Sequence, residues 1–261
     1  MDTLRLSLLQ SDIVWEEKEA NLARYKEQIE SLAGKSDLVV LPETFSTGFS
    51  MQVPQLAEKN EGPTMQVIQS WASEYNIAIC GSFIAASYSG HFFNRGFFIT
   101  PKQDAFFYNK RHLFRMGEEN KVFTVGNEYE IISYRGWNIR MIICYDLRFP
   151  VWIRNRNNEY DLLICTANWP SSRTNVWTTL LKARAIENQC YVCGVNRIGK
   201  DENGIFYQGS SLLTDYKGEI IWEGPVNRRI LQTITINRDA LIEFREKFPT
   251  WMDSDRFYLE I

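Results

Sequence analysis

Asp37-Leu38-Val39-Val40-Leu41-Pro42-Glu43 is the stretch on which the fold turns. Its four successive apolar residues leave no polar face. Such a run fits a strand covered on both sides, as in parallel sheets packed against helices. Pro42 ends it, because proline has no N–H to give to a ladder. Glu43 then stands just past the strand's carboxyl end, where sites collect in sheets that alternate with helices.

The pattern continues in both directions. Residues 4–9 read as a strand. Residues 16–33 read as a helix, with Leu22, Tyr25, Ile29 and Leu32 at helical spacing and Gly34 as its stop. Downstream come a helix over 64–75 with Thr64 as cap, a strand over 77–83, and a hairpin of strands 96–100 and 105–109 turning at Pro101–Asp104. Lys110 lies at the exit of that hairpin. Residues 138–144 form another buried strand ending in Cys144, and Pro150 opens a short helix. A strand over 161–165, a helix over 173–188 and a strand over 191–195 follow. Then come a hairpin over 205–223 turning at Asp215–Gly218, a strand over 229–236 and a helix over 238–247. An aromatic and charged tail begins at about residue 248. Strand–helix–strand ending in LVVLPE (38–43) is echoed by strand–helix–strand ending in LLICTANW (162–169). No Pro/Gly/Ser linker or charge block interrupts this, so residues 1–261 read as one α/β domain with helices on a sheet core.

Composition narrows the function classes. The chain has 261 residues, 44% hydrophobic and 23% charged, as in an ordinary globular protein. A net charge of −3 gives no broad case for nucleic acid or an anionic membrane. No apolar run approaches the roughly 20 residues of a membrane helix. The N-terminus lacks a basic segment followed by an apolar one, so no signal peptide is expected. Five cysteines, an odd number lying in apolar runs, fit free buried thiols in a reducing compartment, and a cytoplasmic location is expected.

Cys144 is the first candidate for chemistry. Only a thiolate attacks, so a nucleophilic cysteine needs a base or a nearby cation. His91 and His112 offer no familiar Cys–His signature. A partly desolvated Glu43 could take the thiol proton instead, and Lys110 could stabilise an oxyanion. Taken singly, each residue has an ordinary structural reading: a core cysteine, a solvated loop glutamate, a surface basic cluster.

Their joint pattern is different. LVVLPETF (38–45), YNKRHLF (108–114) and ICYDLRFP (143–150) resemble, in order and spacing, the nitrilase superfamily of carbon–nitrogen hydrolases. The resemblance runs from residue 4 to about residue 236. It implies a four-layer αββα sandwich, a homodimer, and a catalytic set of Glu43, Lys110 and Cys144. It also implies a second glutamate supporting the lysine. HLFRMGEEN (112–120) offers Glu118 and Glu119, and alignment on Gly126 favours Glu119. Asn168-Trp169-Pro170 resembles the family's block after the cysteine strand. The implied mechanism is amide hydrolysis through a cysteine thioester, with Lys110 and the Tyr145 N–H on the oxyanion and no metal or organic cofactor. YDLRFPVW and RHLFRM resemble the ω-amidase branch, whose members remove ammonia from ω-amides of dicarboxylates such as 2-oxoglutaramate. Arg148 is then a candidate carboxylate partner, although a structural pair with Asp146 or a glutamate fits it equally. Trp169 is a candidate pocket wall or a core residue. Other small amides, N-carbamoyl amino acids and nitriles are alternative substrates.

Two further motifs carry little. Residues 194–200 (GVNRIGK) nearly match a phosphate loop, but Asp201 stands where a hydroxyl would be needed. Cys190 and Cys193 form a lone C-x-x-C without a second pair for zinc. On a strand, residues three apart face opposite sides. A non-enzymatic, redox-responsive thiol protein remains the alternative of another class.

Overall fold

The computed structural model describes residues 2–259. Along the chain, β1 (Thr3–Gln10), α1 (Lys18–Glu30), β2 (Leu38–Val40), α2 (Val53–Leu56), α3 (Pro63–Tyr75), β3 (Ala78–Ala86), β4 (Phe92–Ile99) and β5 (Ala105–Asn109) come first. They are followed by α4 (Glu119–Val122), β6 (Ile132–Tyr134), β7 (Trp137–Ile143), α5 (Pro150–Ile153), β8 (Leu162–Ala167), α6 (Thr174–Asn188) and β9 (Tyr191–Asn196). A ribbon of β10 (Ile198–Lys200) and β11 (Phe206–Gln208) precedes β12 (Leu212–Thr214), β13 (Ile220–Glu223), β14 (Ile230–Asn237) and α7 (Arg238–Lys247).

Two six-stranded sheets share one plan. The first runs β14-β1-β2-β3-β4-β5 and the second β6-β7-β8-β9-β12-β13. In each, three central strands are parallel, one antiparallel strand flanks them on one side, and an antiparallel pair flanks them on the other. The echo between LVVLPE and LLICTANW has this basis: β2 and β8 are the middle parallel strands of equivalent sheets.

Side-chain alternation then builds four layers. Leu38 and Val40 point between the sheets, where Leu4, Leu6 and Phe98 meet Ile139, Met141, Leu162 and Ile164 of the second sheet. Val39 and Leu41 point the other way, onto Tyr25 and Ile29 of α1 and Met65, Ile68 and Trp71 of α3. On the far side, Leu163 and Cys165 of β8 meet Trp152 of α5 and Trp177, Leu181 and Ala185 of α6. The order is helix, sheet, sheet, helix, as the resemblance implied. No helix among the described residues is long and apolar enough to cross a membrane.

Several boundaries differ from the sequence reading. The helix read as 64–75 starts at Pro63, a residue suited to the first helical position. Thr64 does not cap it. The Glu58 carboxylate does that work, accepting from the Thr64 N–H at 2.8 Å and its hydroxyl at 2.7 Å. The first helix ends at Glu30, before Gly34, which keeps a left-handed φ of 74° in the turn beyond. The hairpin read over 205–223 is two pieces. β12 and β13 turn at Asp215–Gly218 as expected, whereas Phe206–Gln208 pairs with β10. Cys190 and Cys193 pack into different cores, one under α6 and one between the sheets.

Candidate active site

Beyond the carboxyl ends of β2 and β8 lies a cavity of about 550 Å³, lined among others by Glu43, Lys110, Cys144, Tyr145, Arg148, Asn168 and Trp169. All the sequence-selected residues except Glu119 therefore face one space as a group. Glu118 also reaches the cavity rim, and Glu119 stands behind Lys110.

Lys110 sits at the end of the β4–β5 hairpin, 1% exposed. Its Nζ donates to Glu43 Oε1 at 2.9 Å and to Glu119 at 3.0 Å (Oε1) and 2.8 Å (Oε2). Both carboxylates are fully buried. Burial alone would discharge the ammonium, but the charges of Glu119 and Glu43 outweigh it and hold the pKa above the ordinary lysine range. Glu119 moves upward, chiefly through burial, with Lys110 opposing and the Glu43 charge adding to the rise. The choice between the two glutamates is settled by geometry: Glu119 is the lysine's partner, and Glu118 is exposed and paired with Lys121. Glu119 is held by the Phe114 N–H at 2.6 Å. The tight turn before it needs Gly117, where a Cβ would stand 2.8 Å from the Phe114 ring and 2.9 Å from Phe49.

The Glu43 carboxylate is held from several sides. Oε1 accepts from Lys110 and from Asn94 Nδ2 at 2.8 Å, and Oε2 accepts from the Asn168 N–H at 2.8 Å. A carboxylate has about four acceptor positions. The fourth meets only the Asn168 side chain at 3.4 Å.

The strand read as ending in Cys144 stops at Ile143. Cys144 is the first residue of a short 3₁₀ turn, Cys144–Arg148, and has a left-handed φ of 44°. For a residue with a Cβ this conformation costs about 1–2 kcal/mol, and such strain concentrates at working sites. Asp146 holds the turn in place, accepting from the Ile143 N–H at 3.0 Å, the Tyr108 hydroxyl at 2.8 Å and the His112 N–H at 2.8 Å. Cys144 is half-buried, and its Sγ lies 3.9 Å from the Asn168 carbonyl oxygen. Burial and then the Glu43 charge push its thiol well above the ordinary cysteine range, with Lys110 pulling the other way. Among the described residues, neither His91 nor His112 lines the cavity. His112 Nδ1 is 2.9 Å from Asp146, and its ring stacks on Phe149.

Asp146 is thus committed to His112 and Tyr108, so the Asp146–Arg148 pair considered from sequence does not form. Arg148 is exposed, lines the cavity and lies 5.2 Å over the Trp169 ring, with no ion pair among the described residues. Trp169 is both wall and core: it lines the cavity, is 4% exposed and packs on Trp177. Three site residues escaped the sequence reading. Asn94 and Ser82 are buried polar residues inside β4 and β3, with no local pattern to mark them. Arg173 lines the cavity beside Trp169, whose Nε1 donates to the Arg173 carbonyl at 2.9 Å, and its guanidinium lies 5.3 Å over Phe114.

The chain is similar to known proteins over nearly its whole length. The carbon-nitrogen hydrolase family model matches residues 5–246. Omega-amidase YafV of Escherichia coli K12 is 42% identical over 99% of this chain and 100% of its own length. The 2-oxoglutaramate amidase of Bacillus subtilis is 30% identical over 95% and 96%. The crystal structure of XC1258 from Xanthomonas campestris, a CN-hydrolase superfamily protein with an arsenic adduct in its active site, superposes with a TM-score of 0.97 at 42% identity, covering both chains completely. With nearly its whole length matched by one family model, the chain belongs to the carbon–nitrogen hydrolases of the nitrilase superfamily.

Proposed function

We propose that this enzyme releases ammonia from the terminal amide of small carboxylic amides through a Cys144 thioester. The observation that carries the reading is Lys110, buried between two carboxylates on the wall of the cavity that Cys144 also lines. In this reading Glu43 takes the thiol proton as sulfur attacks the amide carbon. The developing oxyanion is met by Lys110 and by the N–H of Tyr145, which lies in the first turn of a 3₁₀ helix where N–H groups have no partner within the helix. Glu43 returns its proton to the nitrogen, ammonia leaves, and the acyl group remains on sulfur. Water then gives a proton to Glu43 and hydroxide to the thioester, and the thiol re-forms with release of the acid. Glu119 keeps Lys110 charged and in place throughout.

The substrate we infer is an ω-amide carrying a carboxylate at its far end, with 2-oxoglutaramate giving 2-oxoglutarate as the leading case. Two relatives are named for such activities. In this chain, Arg148 and Arg173 line the same cavity, lie on aromatic rings, and have no ion pair among the described residues. Guanidiniums left without a carboxylate in a partly enclosed space favour one from the ligand. The test is ammonia release from 2-oxoglutaramate and from a panel of neutral amides, N-carbamoyl amino acids and nitriles, with Cys144→Ala alongside. Fast, Cys144-dependent turnover of 2-oxoglutaramate is expected. Turnover of another panel member alone would discard the ω-amide reading. A homodimer is part of the proposal too. Ile186 of α6 and Phe248, whose carbonyl accepts from Gln189 Nε2 just past α6, are exposed apolar residues near each other. Light scattering decides it.

A further inference from the structure

Asn94 is 1% exposed and lies on β4 between the two carboxylates of the site. Its amide has two N–H bonds. One goes to Glu43 Oε1 at 2.8 Å and the other to Glu119 Oε1 at 3.0 Å. Asn94 Oδ1 accepts from the Ser82 hydroxyl at 3.1 Å, and Ser82 Oγ accepts from the Thr44 N–H at 2.8 Å. The Asn94 carbonyl accepts the Lys110 N–H at 3.0 Å. The opposite amide orientation would set a carbonyl oxygen against two carboxylates, so the network leaves one assignment.

We infer that Asn94 is a positioning residue for the reaction, a neutral two-pronged donor that holds Glu43 and Glu119 on either side of Lys110. The inference rests on the reading of Glu43 as proton acceptor. With both glutamates ionised, one ammonium faces two carboxylates, and the cluster carries a surplus negative charge in a buried place. A second cation at position 94 would neutralise the surplus but would weaken Glu43 as a base. An amide supplies hydrogen bonds to both anions without adding charge. Ser82 sets the direction of the amide. Because Thr44 N–H ends the same chain of bonds, the turn that carries Glu43 is tied to it.

The test compares Asn94→Ala, Asn94→Asp and Glu43→Gln on the full-length enzyme, with circular dichroism as the check on folding. Asn94→Ala should lower kcat about tenfold or more, with KM little changed. The acid limb of its pH–rate profile should move up by about one pH unit, since a carboxylate that loses an N–H donor holds its proton to higher pH. Asn94→Asp keeps the side chain's shape but turns the donors into a third carboxylate, and should be less active than Asn94→Ala. A residue that merely filled space would give the reverse order. An inactive Glu43→Gln together with an unshifted acid limb in Asn94→Ala overturns the assignment of Asn94 and leaves the reading of Glu43 standing, as does Asn94→Asp outperforming Asn94→Ala. Full activity in Glu43→Gln overturns both. Should Asn94→Asp fail to fold, the pH profile of Asn94→Ala decides.

Discussion

The backbone N–H of Asn168 donates to Glu43 Oε2 at 2.8 Å, and the Asn168 side-chain amide donates to the Glu43 carbonyl oxygen at 2.9 Å. Glu43 follows β2 and Asn168 follows β8, the matching middle strands of the two sheets. The same amide also reaches Thr44 Oγ1 at 2.9 Å. One residue of the second sheet thus holds both the backbone and the side chain of a glutamate from the first. Asn168→Ala removes the side-chain bonds and keeps the backbone one. Leaving the buried Glu43 carbonyl unpaired costs about 1–3 kcal/mol. A fall in melting temperature is expected, with kcat falling at least tenfold. Unchanged kcat would mean that the backbone bond alone positions Glu43.

Lys110→Met should leave two buried carboxylates without their cation. Removing one partner of a buried ion pair costs about 3–5 kcal/mol. The two carboxyl groups would then hold protons more tightly folded than unfolded. The folded state would bind more protons, and stability would fall as pH rises through the carboxylate range. Denaturant titrations of the variant between mildly acidic and neutral pH should therefore show stability decreasing toward neutrality. A flat profile would argue against paired anions behind Lys110.

The resting enzyme is expected to hold Cys144 as a thiol. Burial and the Glu43 charge raise its pKa, and Lys110 offsets only part of that rise. The ultraviolet thiolate absorbance of wild type minus Cys144→Ala should be absent at neutral pH and appear only above the ordinary cysteine value of about 8.5. A thiolate band at neutral pH would point to a preformed ion pair with Lys110.

Arg148→Gln and Arg173→Gln separate binding from chemistry. A charge-assisted hydrogen bond contributes about 1.5–3 kcal/mol, so each variant should raise KM for a carboxylate-bearing amide by about tenfold or more. A neutral amide of the same length should be handled as by wild type. Equal losses on both substrates would assign these arginines to the fold.

Much of this was legible in short segments. LVVLPE and NIRMIIC announced buried strands because apolar runs of that length have few other uses, and each placed a candidate site residue, Glu43 or Cys144, at a strand end. What stayed hidden depends on the third dimension. Glu118 and Glu119 are adjacent and chemically alike. Only the left-handed turn at Glu118, with φ 63°, sends one into the core and the other to solvent. Gly126, on which the alignment favoured Glu119, packs where a Cβ would lie 2.0 Å from the Asn109 carbonyl, and its N–H donates to the Lys110 carbonyl at 3.0 Å. Asn94 and Ser82 gave no signal because a polar residue inside a strand is ordinarily a solvent-facing one. Arg173 was taken for a helix start, since nothing local reveals that the turn before α6 opens on the cavity.

The division of the site between two matching sheets has a consequence for how its activity is lost. Glu43 and Lys110 ride on the first sheet, Cys144 and Asn168 on the second. The layer between them is packed mainly by apolar side chains such as Leu38, Phe98, Met141 and Ile164, with the Tyr134 hydroxyl donating across it to the Asp37 carbonyl at 3.0 Å. Loosening that layer would separate Glu43 from Cys144 while every strand kept its ladder. Turnover is therefore a gauge of sheet docking, and mild denaturant should silence the enzyme while far-ultraviolet dichroism is still native.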